Sequence, residues 1–199
     1  MKIRFIGDVH GKFDRYQPII DEAPCSSIQV GDFGIGFKNE LQVPDVPGHY
    51  FIRGNHDKLA ECKNYAGWLA DGFFNSTIGL YVLGGAMSVD RGHRIEGEDW
   101  WPDEELSISE LYDQVDRVLE LKPEIMVTHA CPEDVQLAFW PGHIKQRYPS
   151  RTAQALQVIF ENHKPKYWVF GHYHQTKIHN LKGTEFICLG ELEYLDMDI

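Results

Sequence analysis

The sequence predicts an α/β layered domain with two mixed β-sheets, spanning residues 1–199 as a single unit. Three observations predict it. Short strand patterns alternate with helical ones early in the chain, and β segments dominate its end. Strand after strand ends in a turn that carries Asp, Asn or His, usually behind a glycine. Composition is ordinary for a globular chain, with 43% hydrophobic and 25% charged residues over a length that can bury a sizeable core.

The first strand covers about 2–6, where Ile3 and Phe5 alternate with Lys2 and Arg4; it runs into Gly7 and delivers Asp8 and His10. Residues 12–22 read as a short helix whose regularity Pro18 limits. Ser26–Val30 is a second strand, ending at Gly31-Asp32. His49–Ile52 is a third, ending at Arg53-Gly54-Asn55-His56-Asp57, with a helix after it. Residues 73–89 read as β structure, with strands at 77–83 and 85–89, and 91–106 as a long polar and aromatic loop. Ser107 and Glu110 form a capping box at the head of a helix. Leu111, Val115, Val118 and Leu119 give that helix an apolar stripe, and Pro123 marks its exit. Ile125–Val127 is a strand that ends at Thr128-His129.

Residues 131–150 read as a loop, with His143 and Arg147 at the border of a site. A helix starts near Ser150, with Leu156, Ile159 and Phe160 on one face and Pro165 beyond its end. Tyr167–Phe170 is a strand ending at Gly171-His172-Tyr173-His174, and β segments near 176–180, 185–189 and 192–196 close the chain.

Charge and cysteine usage exclude several classes. The net charge of −11 disfavours broad binding to nucleic acid or to an anionic membrane, which needs basic surface. No stretch approaches the roughly 20 apolar residues of a membrane span. No apolar leader precedes the first strand, so the chain reads as soluble and cytoplasmic. Cys25, Cys62, Cys131 and Cys188 form no CxxC pair and read as buried free thiols.

The turn residues are the chemistry. Asp8-Val9-His10, Gly31-Asp32, Gly54-Asn55-His56-Asp57, Thr128-His129 and Gly171-His172-Tyr173-His174 all fall at strand ends, where α/β sheets build their sites. Singly each is weak; together they describe a metal centre. Mixed nitrogen and oxygen donors suit Mn, Fe, Zn or Ni better than Ca or Mg.

The set resembles the calcineurin-like metallophosphoesterase superfamily, whose pattern is Asp-x-His, Gly-Asp, Gly-Asn-His-Asp/Glu, His and Gly-His-x-His. The resemblance spans residues 7–174. It implies a β-sandwich flanked by helices in four layers, with two divalent transition-metal ions: manganese first, with iron, zinc, nickel or cobalt as alternatives. It implies one ion on Asp8, His10, Asp32 and His174, and another on Asp32, Asn55, His129 and His172, with Asp32 as the bridge. Two such ions can clamp a phosphoryl displacement and make hydroxide available between them near neutrality. By the same resemblance His56 is the general acid and Arg53 holds a phosphate oxygen.

The chain departs from the protein-phosphatase branch at Gly31-Asp32-Phe33-Gly34-Ile35-Gly36, where that branch reads Gly-Asp-x-x-Asp-Arg-Gly. The residue that orients the catalytic His there is missing, which leaves Asp57 as a candidate orienter. The stretch Gly84–Glu105 is similar to one in small bacterial and phage members. Its Trp100-Trp101 pair reads either as an anchor on the core or as a stacking wall, and Arg91 and Arg94 either as phosphate contacts or as surface ion pairs. The expected function is hydrolysis of phosphate mono- or diesters on a small nucleotide-like substrate. The alternatives are a nuclease or protein phosphatase of the same superfamily and a non-catalytic metal-binding scaffold. The sequence is silent on oligomeric state.

Overall fold

The computed structural model describes residues 1–36, 43–141 and 149–199. His143 and Arg147 lie outside the described residues. The strands form two mixed sheets. In the first, β1 (Lys2–Ile6) pairs parallel with β2 (Ser27–Gln29), and β2 with β3 (His49–Phe51). The last strand, β10 (Tyr194–Asp198), returns to run antiparallel beside β1.

The second sheet has the order β4-β5-β6-β7-β9-β8. Its members are β4 (Phe74–Asn75), β5 (Leu80–Leu83), β6 (Ile125–Thr128), β7 (Tyr167–Phe170), β8 (Lys177–Leu181) and β9 (Thr184–Cys188). β5, β6, β7 and β9 run parallel, and β4 and β8 are antiparallel edges.

The layering follows from the period of two along each strand. Ile3, Phe5, Ile28 and Ile52 from the first sheet meet Leu80, Val82, Ile125, Val127, Val169 and Ile187 from the second, forming the sandwich core. The alternate residues of the second sheet, Tyr81, Met126, Trp168, Phe170 and Phe186, pack against Val115 and Val118 of α3 (Ile108–Leu121) and against Leu156, Ile159 and Phe160 of α5 (Arg151–Asn162). Ile6 and Phe51 turn outward from the first sheet onto Phe13, Tyr16 and Ile20 of α1 (Phe13–Asp21) and Cys62 of the short α2 (Leu59–Cys62). The result is helix, sheet, sheet, helix: the expected four layers.

The α3 capping box is present, with the Ser107 hydroxyl accepting from Glu110 N–H and the Glu110 carboxylate accepting from Ser107 N–H. Ser150 likewise caps α5, accepting from Ala153 N–H.

Three expectations are corrected. Residues 85–89 are not a strand: Gly85 sits at φ +79, and Gly84 and Ser88 donate their N–H groups to the side chains of Asp71 and Glu104 rather than to a ladder. Of the strand expected at 77–83, only Leu80–Leu83 pairs, because the preceding residues make the turn from β4. The segment expected as loop after Cys131 contains α4 (Glu133–Phe139), whose Val135 and Phe139 join the outer core. Its acidic first turn, Glu133-Asp134, complements the helix N-terminus. Residues 91–106 are a loop as expected, apart from one 3₁₀ turn at Arg91–His93. Cys62, Cys131 and Cys188 are buried free thiols, and Cys25 is free and half-buried.

Candidate metal centre

Parallel pairing puts the carboxyl ends of β1, β2 and β3 side by side, and likewise those of β6 and β7. The turns that leave these ends converge. Ligand atoms of Asp8, His10, Asp32 and His174 lie within 4.8 Å of one another, and so do those of Asp32, His129 and His172. Asp32 belongs to both groups. Its Oδ2 lies 3.4 Å from His129 Nε2 and 3.9 Å from His10 Nε2. His174 Nε2 lies 3.2 Å from Asp8 Oδ2 and 3.0 Å from His10 Nε2. Asn55 Oδ1 lies 3.1 Å from His129 Nε2, on the side of the second group. The structure thus brings all seven sequence-predicted ligands into one place.

The chain holds this arrangement in backbone conformations that L-residues avoid. His10, Asp32, His172 and His174 all have φ between 50 and 70. Left-handed non-glycine residues cost of order 1–3 kcal/mol each and persist where the surroundings over-determine them, as at functional sites. Two glycines show how tight the packing is. A Cβ on Gly54 would sit 2.0 Å from Asp32 Oδ1, and one on Gly31 (φ +100) would sit 2.4 Å from His129 Nδ1. Those positions admit no side chain while the ligands stay where they are.

The donor set fits a transition metal. His129 Nδ1 donates to the Val30 carbonyl at 2.9 Å, so once Nε2 gives up its proton its lone pair faces Asp32 and Asn55. Two imidazole Nε2 atoms at 3.0 Å (His10 and His174) beside two buried carboxylates are the nitrogen–oxygen mixture such an ion takes.

The electrostatics of the bare site follow from burial against pairing. Burial opposes ionisation of Asp32, yet the neighbouring imidazoles of His129, His56 and His10 hold its carboxyl well below the usual range. The same carboxylate overrides burial at His129, which is pushed up to about 9. His172 is pushed down to about 3 by burial and by His129. Without an ion, then, Asp32 and His129 form a buried charge pair, while His172 keeps a free lone pair at neutral pH.

His56 stands beside the two groups, its Nε2 3.9 Å from Asp32 Oδ2, and its backbone N–H donates to Asp32 Oδ1 at 2.9 Å. Burial pushes its imidazolium down; the Asp32 carboxylate pulls the other way, and the Arg94 guanidinium adds to the push. Arg94 NH2 lies 3.4 Å from His56 Nε2. The Arg94 fork is held by Asp90 at 2.7 Å on both Nε and NH2, so the 84–105 segment delivers a clamped guanidinium to the edge of the site. Trp101 is buried.

Arg53 and Asp57 are engaged by the protein itself. Arg53 is 1% exposed; its Nε donates to Asp71 at 2.7 Å, and NH1 donates to the carbonyls of Asp103 and Glu104. The Asp57 carboxylate accepts four backbone N–H groups: Gly34 and Ile35 on Oδ1, Phe33 and Gly54 on Oδ2. It staples the turn that carries Asp32 to the turn that carries Asn55 and His56.

Sequence reasoning missed two kinds of support. Gln29 is fully buried in β2; its amide donates to the carbonyls of Gly7 and Gly31 and accepts from Gly31 N–H, tying two ligand turns together. A polar residue at the end of a strand otherwise buried on both faces was its only signal. Ser88 and Glu104 lie in a stretch that sequence marks as distinctive, but nothing local ties them to Asn55.

Known proteins share this chain's sequence pattern and its fold. A family model described as calcineurin-like phosphoesterase matches residues 1–176. The lariat debranching enzyme of Entamoeba histolytica is 26% identical over 203 residues, a match that covers 87% of this chain and 55% of that protein. A solved Staphylococcus aureus protein, provisionally assigned as a 5′-nucleotidase, superposes with a TM-score of 0.54 at 12% identity, covering 100% of this chain and 51% of that one. The chain therefore spans about half the length of both. Among the described residues no helix is long and apolar enough to cross a membrane.

Proposed function

The chain belongs to the calcineurin-like phosphoesterase family, and on that premise we propose that it is a dinuclear metal-dependent hydrolase of phosphate mono- or diesters. The observation that carries the reading is the pair of ligand groups that share Asp32. Asp8, His10, Asp32 and His174 would hold one divalent ion, and Asp32, Asn55, His129 and His172 a second. The nitrogen–oxygen donor set admits Mn, Fe, Zn or Ni, and manganese is the ion to load first. When bound, the ions supply positive charge against the phosphate oxygens and bring a water molecule's pKa near neutrality.

The chain's own residues do the rest. Asp32 and His129, charged and paired in the bare site, would release a proton as an ion enters, so uptake would weaken as pH falls. His56 is placed to act as the acid once Nε2 carries a proton, which burial and Arg94 oppose and the Asp32 carboxylate favours: the P–O ester bond breaks, water supplies the new P–O bond, the Nε2 proton goes to the alkoxide, and the proton that the water loses restores His56. Arg94, beside His56 and clamped by Asp90, favours an anionic substrate at that edge. The 5′-nucleotidase and lariat-debranching likenesses lend support to a nucleotide-like substrate, and so does the net charge, which suits a small ligand better than a polymer.

The test is metal analysis together with a panel of aryl monoester, aryl diester, cyclic nucleotide and dinucleotide substrates across Mn, Ni, Co, Zn and Mg. Two ions per chain and hydrolysis that Asp32→Asn abolishes together with metal uptake are expected. A carefully loaded wild-type chain that takes up no metal would refute the reading.

A further inference from the structure

The second ligand group includes an amide, and an amide has a direction. Oδ1 and Nδ2 of Asn55 are nearly isosteric, but only the oxygen can bind a cation. Whatever fixes the rotation of that amide decides whether residue 55 is a ligand at all. The inference rests on the reading of Asn55 as a ligand given above.

We propose that Ser88 and Glu104 are positioning residues that set the Asn55 amide with its oxygen toward the metal centre. Asn55 Nδ2 donates to Ser88 Oγ at 2.9 Å, while Asn55 Oδ1 faces His129 Nε2 at 3.1 Å. A serine hydroxyl alone settles nothing, because it can donate or accept. Glu104 removes that freedom. Its carboxylate accepts the Ser88 backbone N–H at 3.1 Å; burial pushes the carboxyl up, while the Ser88 side chain beside it favours the ionised form. With the hydroxyl proton directed to the carboxylate, Oγ presents lone pairs to Asn55, and only the NH2 end of the amide can answer them.

The relay is enclosed: Asn55 is 2%, Ser88 1% and Glu104 3% exposed, so water does not compete for these bonds. Its far end is fixed too. Arg53 NH1 donates to the carbonyls of Asp103 and Glu104, which pins the residue that points the serine. A buried arginine next to the ligand motif thus acts through three hydrogen-bonded residues. Partners of this kind around ligand side chains are worth 10–100-fold in metal affinity.

The experiment is manganese titration of the metal-free full chain, followed by calorimetry and by the paramagnetic resonance of free ion. Wild type should take up two ions. Ser88→Ala should weaken one of them about 10–100-fold and leave the other within about threefold. Glu104→Gln, which keeps the hydroxyl but offers it an amide donor, should weaken the same ion. In an Asn55→Asp background both side-chain ends are oxygen, so adding Ser88→Ala should cost less than about threefold.

Wild-type affinities for both ions in Ser88→Ala would overturn the proposal. So would an undiminished loss in the Asn55→Asp background, or a parallel loss of both ions together with a lower melting temperature of the metal-free chain, since each assigns Ser88 to packing alone. A wild type that binds two ions with Ser88→Ala equal to it refutes only this inference; a wild type that binds none refutes the proposed function and this inference with it.

Discussion

Replacing Asp57 by Asn tests whether that residue staples two turns together or orients His56, the role the sequence offers it. The carboxylate accepts Gly34 and Ile35 N–H on one oxygen and Phe33 and Gly54 N–H on the other. Asn is isosteric but has a single acceptor end. In either rotation two backbone N–H groups face an NH2 and lose their partner in a fully buried turn. A buried donor left unsatisfied costs about 1–3 kcal/mol, so two cost about 2–6 kcal/mol. Burial and the nearby Asp32 push the Asp57 carboxyl up from its ordinary value, against the pull of its N–H donors. The substitution relieves that strain, which favours the lower half of the range, about 2–4 kcal/mol.

For a chain of this size each kcal/mol moves the melting temperature by about 2–4 °C. The expected drop is therefore about 4–16 °C, measured on the metal-free protein by urea and thermal unfolding. Metal uptake should weaken in step, because the staple joins the turns bearing Asp32 and Asn55. A variant that melts within about 1 °C of wild type but has lost its rate would refute the staple and return Asp57 to orienting His56.

His56→Ala should keep both ions and lose about 10²–10⁴ in rate on esters with poor leaving groups; wild-type rates on all esters would remove it as the acid. Arg53→Lys breaks a fork that no ammonium can replace, and should cost about 2–4 kcal/mol in urea unfolding with KM unchanged. Unaltered stability with a raised KM would instead place Arg53 on the substrate.

Arg4→Met tests a pH dependence. Arg4 holds Asp196 at 2.6 and 2.9 Å and keeps its carboxyl below the ordinary value. A depressed folded pKa contributes stability above the unfolded value near 4, lost as pH falls through the folded one. The variant should therefore be less stable by about 1–3 kcal/mol at pH 7, with the gap to wild type narrowing below about pH 4; a gap that widens there contradicts the assignment.

The candidate ligands were legible because their signal is local. A strand of period two that ends in glycine and then Asp, Asn or His can be read from a few residues, and Asp8, Asp32, Asn55, His129 and His172 all sit just beyond such strands. The capping box at Ser107 is local too, and it stands where the sequence puts it. The errors were also local readings. Gly85–Val89 reads as strand until Gly85 is seen at positive φ, and α4 hides because seven residues give too little periodicity.

What the sequence by itself determined is the chemistry on offer: which side chains stand at strand ends, and a layered α/β frame to carry them. Tertiary structure alone decided how they are used. It set β10 against β1, spent the Asp57 carboxylate on four backbone donors, and brought Ser88 against Asn55 from 33 positions along the chain and Glu104 against Ser88 from 16. The physical reason is the range of the forces concerned. Backbone propensity and periodicity act within a few residues. The partner of a buried hydrogen-bonding group is chosen only when burial removes water as the alternative.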